Sequence, residues 1–264
     1  MTTPAFYAVI IGSEILNGRR RDAHVDFLRD ALQERGYELK VSFIIKDDPS
    51  LIDRVFSFIK EDPDGVLFSF GGIGATPDDY TREAAARAFR DGSLITHPEA
   101  LALIEEQFGQ AARPYRIRMA DLPSGAKLLT NPINRVPGFF LDDRYFFVPG
   151  FPEMAHPMVR EALERFFPAT TKPLRLTVTV LTGENDLIEL MRAVPPSIEL
   201  SSLPVILGPK RRTVLSLAGN DEEVRKAYQK LLDGIRALGF WFIEGDHPRD
   251  AFAYDEGDFP CCNS

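Results

Sequence analysis

Cysteine is nearly missing from this chain: of 264 residues only two are Cys, at 261 and 262, adjacent and close to the end. Neighbouring thiols there can neither frame a fold with disulfides nor supply the CxxC-type spacing of a metal site. The expectation is a reducing cytoplasm and a tail without structural work. Long apolar runs are missing too. None approaches the ~18–20 residues of a membrane span, and Met1 to Ile11 lacks the basic start and cleavage pattern of a secretory leader. Basic charge is in deficit, 31 Lys and Arg against 39 Asp and Glu, for a net charge of −8. Counterion release from nucleic acid needs clustered Lys and Arg, so no nucleic-acid partner is expected. A small anion held in a local positive site remains open, as does a core of real size in one large or two smaller domains. Repeats and low-complexity segments are absent as well.

What is present begins with alternation. Residues 5–11 (AFYAVII), 39–45 and 65–70 (GVLFSF) are apolar or β-branched stretches of strand length, separated by the helical stripes of 23–35 and 50–60, with another helix starting at Thr76. Strands spaced by helices imply parallel βαβ units with helices on both sheet faces. Further on, 98–111 reads as helix and 127–129, 138–141 and 145–148 as short strands. The last two form a hairpin turning at Asp142-Asp143, and a helix over 153–166 closes the region. Pro168–Pro173 (PATTKP) has linker composition. After it come strand 174–181, helix 184–193, strands 197–203 and 213–217, helix 221–238 and strand 239–243. That β-α-β-β-α-β order suggests a small split-βαβ domain. The expected organisation is therefore a domain over 1–169, a small α+β domain over 170–246, and a mobile acidic tail over 247–264.

The segment Gly71-Gly72-Ile73-Gly74-Ala75-Thr76-Pro77-Asp78-Asp79-Tyr80-Thr81 follows the third strand directly. Glycines there let the backbone bend tightly and approach a ligand, and a following helix N-terminus favours phosphate. The carboxyl end of a parallel strand is also where open α/β sheets take ligands. No Gly-Lys-Ser/Thr follows, and the spacing is not GxGxxG, so neither a Walker loop nor a dinucleotide fingerprint is present. A purely structural alternative stands beside this one: Thr76 as N-cap, Pro77 at the first helical position and Asp79 at the third. Capping accounts for one carboxylate. Adjacent aspartates beside a phosphate cradle make most sense with a divalent cation between them.

A second cluster, Gly12-Ser13-Glu14-Ile15-Leu16-Asn17-Gly18 and then Arg19-Arg20-Arg21-Asp22-Ala23-His24, leaves the first strand at the same sheet edge. Glu14 could orient a ligand hydroxyl or a water, Asp22 suits an N-cap, and His24 fits a ligand contact as well as a surface position. The arginines could neutralise phosphate or form a solvated basic turn. Asp47, at the end of the second strand, reads by composition as part of a turn.

Together with Asn131-Pro132-Ile133, Pro137-Gly138-Phe139 and Val148-Pro149-Gly150-Phe151-Pro152-Glu153-Met154, these segments resemble the molybdopterin-binding, MoaB/MogA-like superfamily, and within it the CinA-like (competence/damage-inducible) proteins. That family shows GTELLxG, an aspartate after the second strand, GGxGPTxDDxT, NPxGxxPGF and LPGxPxEM, in the same order. Ala75 stands for the usual proline, Ser13 for threonine and His24 for asparagine. The second part of the chain is similar, more loosely, to the small domain that follows in CinA-type chains.

The resemblance implies a three-layer α/β/α, mostly parallel sheet of molybdopterin-binding type. It implies a phosphate at the glycine loop and a divalent ion (Mg, Mn or Co) held by Asp47, Asp78 and Asp79. Asp79, Asp47 and Glu14 would be catalytic. Gly12, Ser13, Gly71, Gly72, Gly74, Thr76, Asp22, His24, Asn131, Pro149 and Gly150 would bind substrate. The implied activity is metal-dependent hydrolysis of a nucleoside diphosphate derivative such as ADP-ribose or FAD. The alternatives are a pterin-binding protein without turnover and a molybdopterin adenylyltransferase. No nicotinamide-nucleotide amidase activity is expected. A homodimer is implied, with Phe139, Phe140, Phe146, Phe147 and Phe151 offering apolar surface near the site unless the core takes them.

Overall fold

A strand that is apolar on both sides can be buried only between two layers, and the first part of the chain builds such a sandwich. In a computed structural model, which describes residues 3–207 and 210–245, β1 (Ala5–Ile11) leads through a single helical turn, α1 (Ser13–Leu16), to α2 (His24–Glu34), β2 (Leu39–Ile45), α3 (Pro49–Glu61), β3 (Gly65–Phe70) and α4 (Thr81–Phe89). There follow β4 (Leu94–Thr96), α5 (Pro98–Phe108), two 3-10 turns (Gly109–Ala112 and Arg116–Ala120) and β5 (Asp121–Pro123). β6 (Lys127–Leu129), β7 (Gly138–Leu141), β8 (Tyr145–Val148) and α6 (Pro152–Phe166) complete the unit.

The main sheet runs β2-β1-β3-β8-β7-β6. Strands β2, β1, β3 and β8 are mutually parallel, β7 runs against them, and β6, antiparallel to β7, returns to their direction. Alternation along each strand sorts the two faces. Tyr7, Val9, Leu67 and Phe147 join one core with Ile52, Phe56 and Ala85 of α3 and α4. Phe6, Ala8, Phe68, Phe70 and Phe146 join the other with Leu28 and Leu32 of α2 and Met158 and Val159 of α6. This is the three-layer, mostly parallel α/β/α arrangement. At the β7–β8 connection Asp142 and Asp143 both hold φ near +55°, and the Arg144 amide donates to the Leu141 carbonyl at 3.1 Å, a tight left-handed turn of the kind that suits the sheet's twist. Phe139, Phe140, Phe146 and Phe147 are each at most 1% exposed. They belong to the core and give no surface to a dimer; of the five aromatics only Phe151, 56% exposed, reaches solvent.

Contacts divide the chain into two compact units, 1–172 and 173–264. The second unit contains β9 (Leu174–Val180), a 3-10 turn (Glu184–Leu187) running into α7 (Ile188–Arg192), β10 (Glu199–Leu207), β11 (Lys210–Gly219), α8 (Asp221–Ala237) and β12 (Phe242–Glu244). The single helix expected over 184–193 is thus half 3-10. The sheet order β10-β11-β9-β12, antiparallel throughout, is that of a split βαβ. Val178, Val180, Leu215 and Leu217 pack on Val224, Leu231 and Ile235 of α8. Asn220 caps α8 by accepting the amides of Glu222 and Glu223 at 3.1 and 3.5 Å. The acidic segment expected at 247–264, with Cys261 and Cys262, lies outside the described residues. No helix of the described residues is long and apolar enough to cross a membrane.

Candidate functional site

Parallel strands end at one edge, and the loops leaving β1, β2, β3 and β8 there surround a cleft of about 460 Å³. Its lining includes Glu14, Arg20, Asp47, Gly71 to Thr76, Asp78, Asp79, Pro149, Gly150 and Phe151, with Asn131, Asn134 and Val136 from the β6–β7 connection. Phe108 at the end of α5, Met119 from the second 3-10 turn and Met154 add apolar wall. The position is the one that parallel-sheet topology favours for a ligand.

The glycine loop is shaped by backbone packed against backbone. The Gly71 amide donates to the Val148 carbonyl at 2.9 Å, and a Cβ on Gly71 would sit 2.4 Å from the Ile11 carbonyl oxygen. Gly72 holds φ +68°, and a Cβ there would come within 2.2 Å of Thr81 Oγ1. That hydroxyl is fully buried and donates to the Gly71 carbonyl at 2.9 Å. A side chain at either position would pry the loop from the sheet edge.

The residues after it do not begin a helix. Thr76-Pro77-Asp78-Asp79 is a four-residue turn in which the Asp79 amide donates to the Thr76 carbonyl at 3.1 Å. Pro77 occupies the second position, where its fixed φ is favourable. Asp79 Oδ2 accepts both the Thr76 amide, at 2.7 Å, and the Thr76 hydroxyl, at 2.5 Å. The capping expected of Thr76 therefore runs backwards: Asp79 closes the turn on Thr76, and α4 starts only at Thr81. The Asp79 carboxylate also fills the space over Gly74, where a Cβ would meet Oδ2 at 2.6 Å. The Thr76 hydroxyl and Asp78's own amide hold the Asp78 carboxyl below its ordinary pKa, keeping it ionised.

Asp47 joins two loops. Its Oδ2 accepts the Ser13 amide at 2.8 Å, and Ser13 Oγ accepts the Asp47 amide at 3.4 Å. This goes beyond a local turn and fixes the Glu14 segment beside the end of β2. Glu14 folds over Gly12, where an added Cβ would lie 2.9 Å from its carboxylate oxygens.

Four expected substrate contacts, Gly12, Ser13, Asp22 and His24, do not line the cleft. Gly12 and Ser13 shape the Glu14 turn. Asp22 accepts the amides of His24 and Val25 at 3.0 and 3.1 Å, at the start of α2. His24 is only 4% exposed. Its ring stacks on Phe70 with centroids 4.5 Å apart, and Nε2 lies 3.3 Å from the Gly150 carbonyl, which it can reach only as a donor. Burial pushes its pKa down, outweighing the Gly150 and Asp22 contributions. A neutral His24 thus supports the Gly150 segment from behind. Asn131, 2% exposed, lines the cleft but spends its amide on the loop: Nδ2 donates to Asn134 Oδ1 and the Val136 carbonyl at 2.6 and 2.9 Å, and Oδ1 accepts the Ile133 amide at 3.0 Å.

Asp47, Asp78 and Asp79 share the cleft, yet among the described residues no group of three or more His, Cys, Asp or Glu gathers as a metal-holding cluster. The expected three-carboxylate site is therefore not formed by the protein alone, because Asp79 is turned to Thr76 and Asp47 to Ser13. In Asp47 and Asp79 the other carboxylate oxygen, Oδ1, carries no hydrogen bond among the described residues. Hard oxygen donors with one or two carboxylates and a ligand phosphate are what Mg²⁺ or Mn²⁺ takes, so the donor set fits such an ion bound jointly with ligand. The sequence did not point to Phe108, Met119, Asn134 or Val136, which long-range packing alone brings to the cleft. Phe151 was visible as an aromatic after Pro-Gly.

Residues 7–171 match the family model described as a probable molybdopterin binding domain. A CinA-like protein of Acaryochloris marina is 32% identical over 169 residues, 61% of this chain and 40% of its own length. A CinA-like protein of Flavobacterium psychrophilum is 30% identical over 234 residues, 83% of this chain and 55% of its own length. The crystal structure of the protein CinA with unknown function from Thermoplasma acidophilum matches with a TM-score of 0.55 at 29% identity, covering 61% of this chain and 97% of that one. The chain thus spans 40% and 55% of the two curated relatives' lengths.

Proposed function

The chain belongs to the molybdopterin-binding domain family as a CinA-like, MoaB/MogA-superfamily member, and from that premise we propose that its cleft binds a small phosphorylated ligand and hydrolyses the pyrophosphate of a nucleoside diphosphate derivative of the ADP-ribose or FAD class. One observation carries this reading: the Gly71–Gly74 backbone and the carboxylates Asp47, Asp78 and Asp79 line the same cleft. Carboxylates would repel a phosphate at close range unless a cation intervened. Asp47 and Asp79 would hold a divalent ion, which when bound polarises a phosphoryl oxygen and acidifies a water. The chain's own groups do the rest. The glycine loop lets backbone come close to the phosphate, Asp78 keeps its charge and holds the cation nearby, and Glu14 accepts the proton of the attacking water. Phe108, Met119 and Phe151 supply apolar wall for the ring of the nucleoside.

The test is AMP release from ADP-ribose, FAD and ATP with Mg²⁺, Mn²⁺ or Co²⁺. AMP from the first two and not from ATP is the expected result. The family match favours a second reading, a pterin-binding protein without turnover. No AMP from any substrate, in a protein that binds a pterin tightly, decides for that reading. Transfer of an adenylyl group from ATP to the pterin would instead mark an adenylyltransferase.

A further inference from the structure

Arg20 is the one cation among the described residues that line the cleft, in a wall that also carries Glu14, Asp47, Asp78 and Asp79. None of these carboxylates, nor any other among the described residues, forms an ion pair with it. Its guanidinium instead rests over the Phe151 ring, with Cζ 5.2 Å from the centroid. Both partners are pinned by their backbones. The Arg20 amide donates to the Glu14 carbonyl at 3.0 Å, and the Phe151 carbonyl accepts the Met154 and Ala155 amides at 3.0 and 2.9 Å where α6 begins. The flanking arginines differ: Arg19 and Arg21 are exposed and lie off the cleft wall. A partly buried arginine seated over an aromatic ring, with no ion-pair partner among the described residues, leaves its fork of donors free, which is the arrangement suited to bidentate contact with phosphate.

We propose that Arg20, seated on Phe151, is a second phosphate-binding element opposite in charge to the rest of the wall, and that it makes the cleft prefer a diphosphate to a monophosphate. The glycine loop holds one phosphoryl group and Arg20 the next. A ligand with two such groups engages both, and a monophosphate engages one. This rests on the reading that the cleft takes a phosphorylated ligand, but not on that ligand being hydrolysed.

The experiment is calorimetric titration of ADP and of AMP into the full chain with Mg²⁺, at several salt concentrations, for the parent, Arg20→Ala, Arg20→Lys and Phe151→Leu. The parent binds ADP more tightly than AMP. Arg20→Ala weakens ADP roughly ten- to hundredfold, leaves AMP within about threefold, and flattens the salt dependence. Arg20→Lys recovers part of the ADP affinity, because charge returns without the planar fork. Phe151→Leu loses less than Arg20→Ala. Unchanged ADP affinity in Arg20→Ala overturns the assignment, and so does an equal loss for ADP and AMP with the parent's salt dependence. An Arg20-dependent preference in a protein that releases no AMP from ADP-ribose upholds Arg20 and defeats the hydrolase reading. Hydrolysis by a protein whose ADP affinity ignores Arg20 does the reverse. A parent that binds neither ADP nor ADP-ribose overturns both.

Discussion

The first unit buries strands on both faces, so polar chemistry is driven to the strand ends; the second leaves its polar groups spread along an antiparallel sheet. In β1 and β3 nearly every side chain is buried. The loops at their carboxyl ends collect glycine backbone, carboxylates and Arg20 into one cleft. The second unit has a cleft of its own, about 370 Å³, lined by Leu190, Val194, Ala227 and Leu231 with Lys226 and Lys230. Its carboxylate, Glu223, accepts the Ser197 hydroxyl at 2.9 Å, and no glycine loop enters it. Equal skill at burying leucine does not make equal sites. What separates the units is where the sheet topology lets backbone ends meet.

The largest expected effect breaks that difference at its root. Gly72→Ala forces a Cβ onto Thr81 Oγ1 in a left-handed backbone, and should cost about 2–5 kcal/mol and abolish ADP binding. Gly239→Ala in the second unit meets the same kind of backbone, φ +75°, with nothing within 4 Å of the added Cβ. It should cost about 1 kcal/mol and spare binding. Urea denaturation with calorimetry checks both, and equal effects would erase the contrast. Next, Asp79→Asn keeps an oxygen for the Thr76 amide and removes the charge. AMP release should fall roughly a hundred- to a thousandfold with stability changed by less than about 1 kcal/mol. Leu215→Ala then sharpens the comparison from the other side. The residue is fully buried in β11, so about 2–4 kcal/mol of stability should go, while ADP affinity stays within twofold.

The smallest effect is a pH dependence. Burial lowers the His24 pKa first of all causes, and that of His156 likewise. The unfolded chain therefore binds a proton near the ordinary value of about 6.5 while the folded chain refuses it. Stability is unaffected above that value and declines as pH falls below it. Asp62, drawn down to about 2 chiefly by Lys40 and Tyr7, acts in the same sense in a lower window: its stabilisation is present above the ordinary carboxylate value and disappears as pH falls toward 2, below the histidine window. The melting temperature should drop by a few degrees from pH 7 to 5. His24→Asn should flatten that drop, and an identical slope in the variant would remove His24 from the account.

Much of this was legible because strands buried on both faces are written as unbroken apolar runs. Residues 5–11 and 65–70 have the bounds expected from hydropathy alone, and the glycines after Phe70 announced a loop at a strand end. The order of Thr76 to Thr81 was not legible, since Thr-Pro-Asp-Asp satisfies a helix cap and a tight turn equally. A distant bond decides between them: Thr81 reaches the Gly71 carbonyl, so the helix waits. His24 beside Arg21 and Asp22 reads as a surface residue or a ligand contact alike; the stack on Phe70, with His156 edge-on beside it, buries it instead. Asp47 looked like a turn residue until the Ser13 amide was found on its carboxylate. Local pattern reaches as far as the loop ends, and the contacts between loops set what each side chain does there.

The central claim is that this acidic cleft takes a phosphorylated ligand through a divalent cation. Calorimetric titration of ADP into the full chain, once with Mg²⁺ and once with EDTA, tests it directly. The account predicts binding with Mg²⁺ that weakens at least tenfold on chelation and that Asp79→Asn reduces to the chelated level. Equal affinity in both conditions, or Mg²⁺-dependent binding that Asp79→Asn leaves intact, would contradict it.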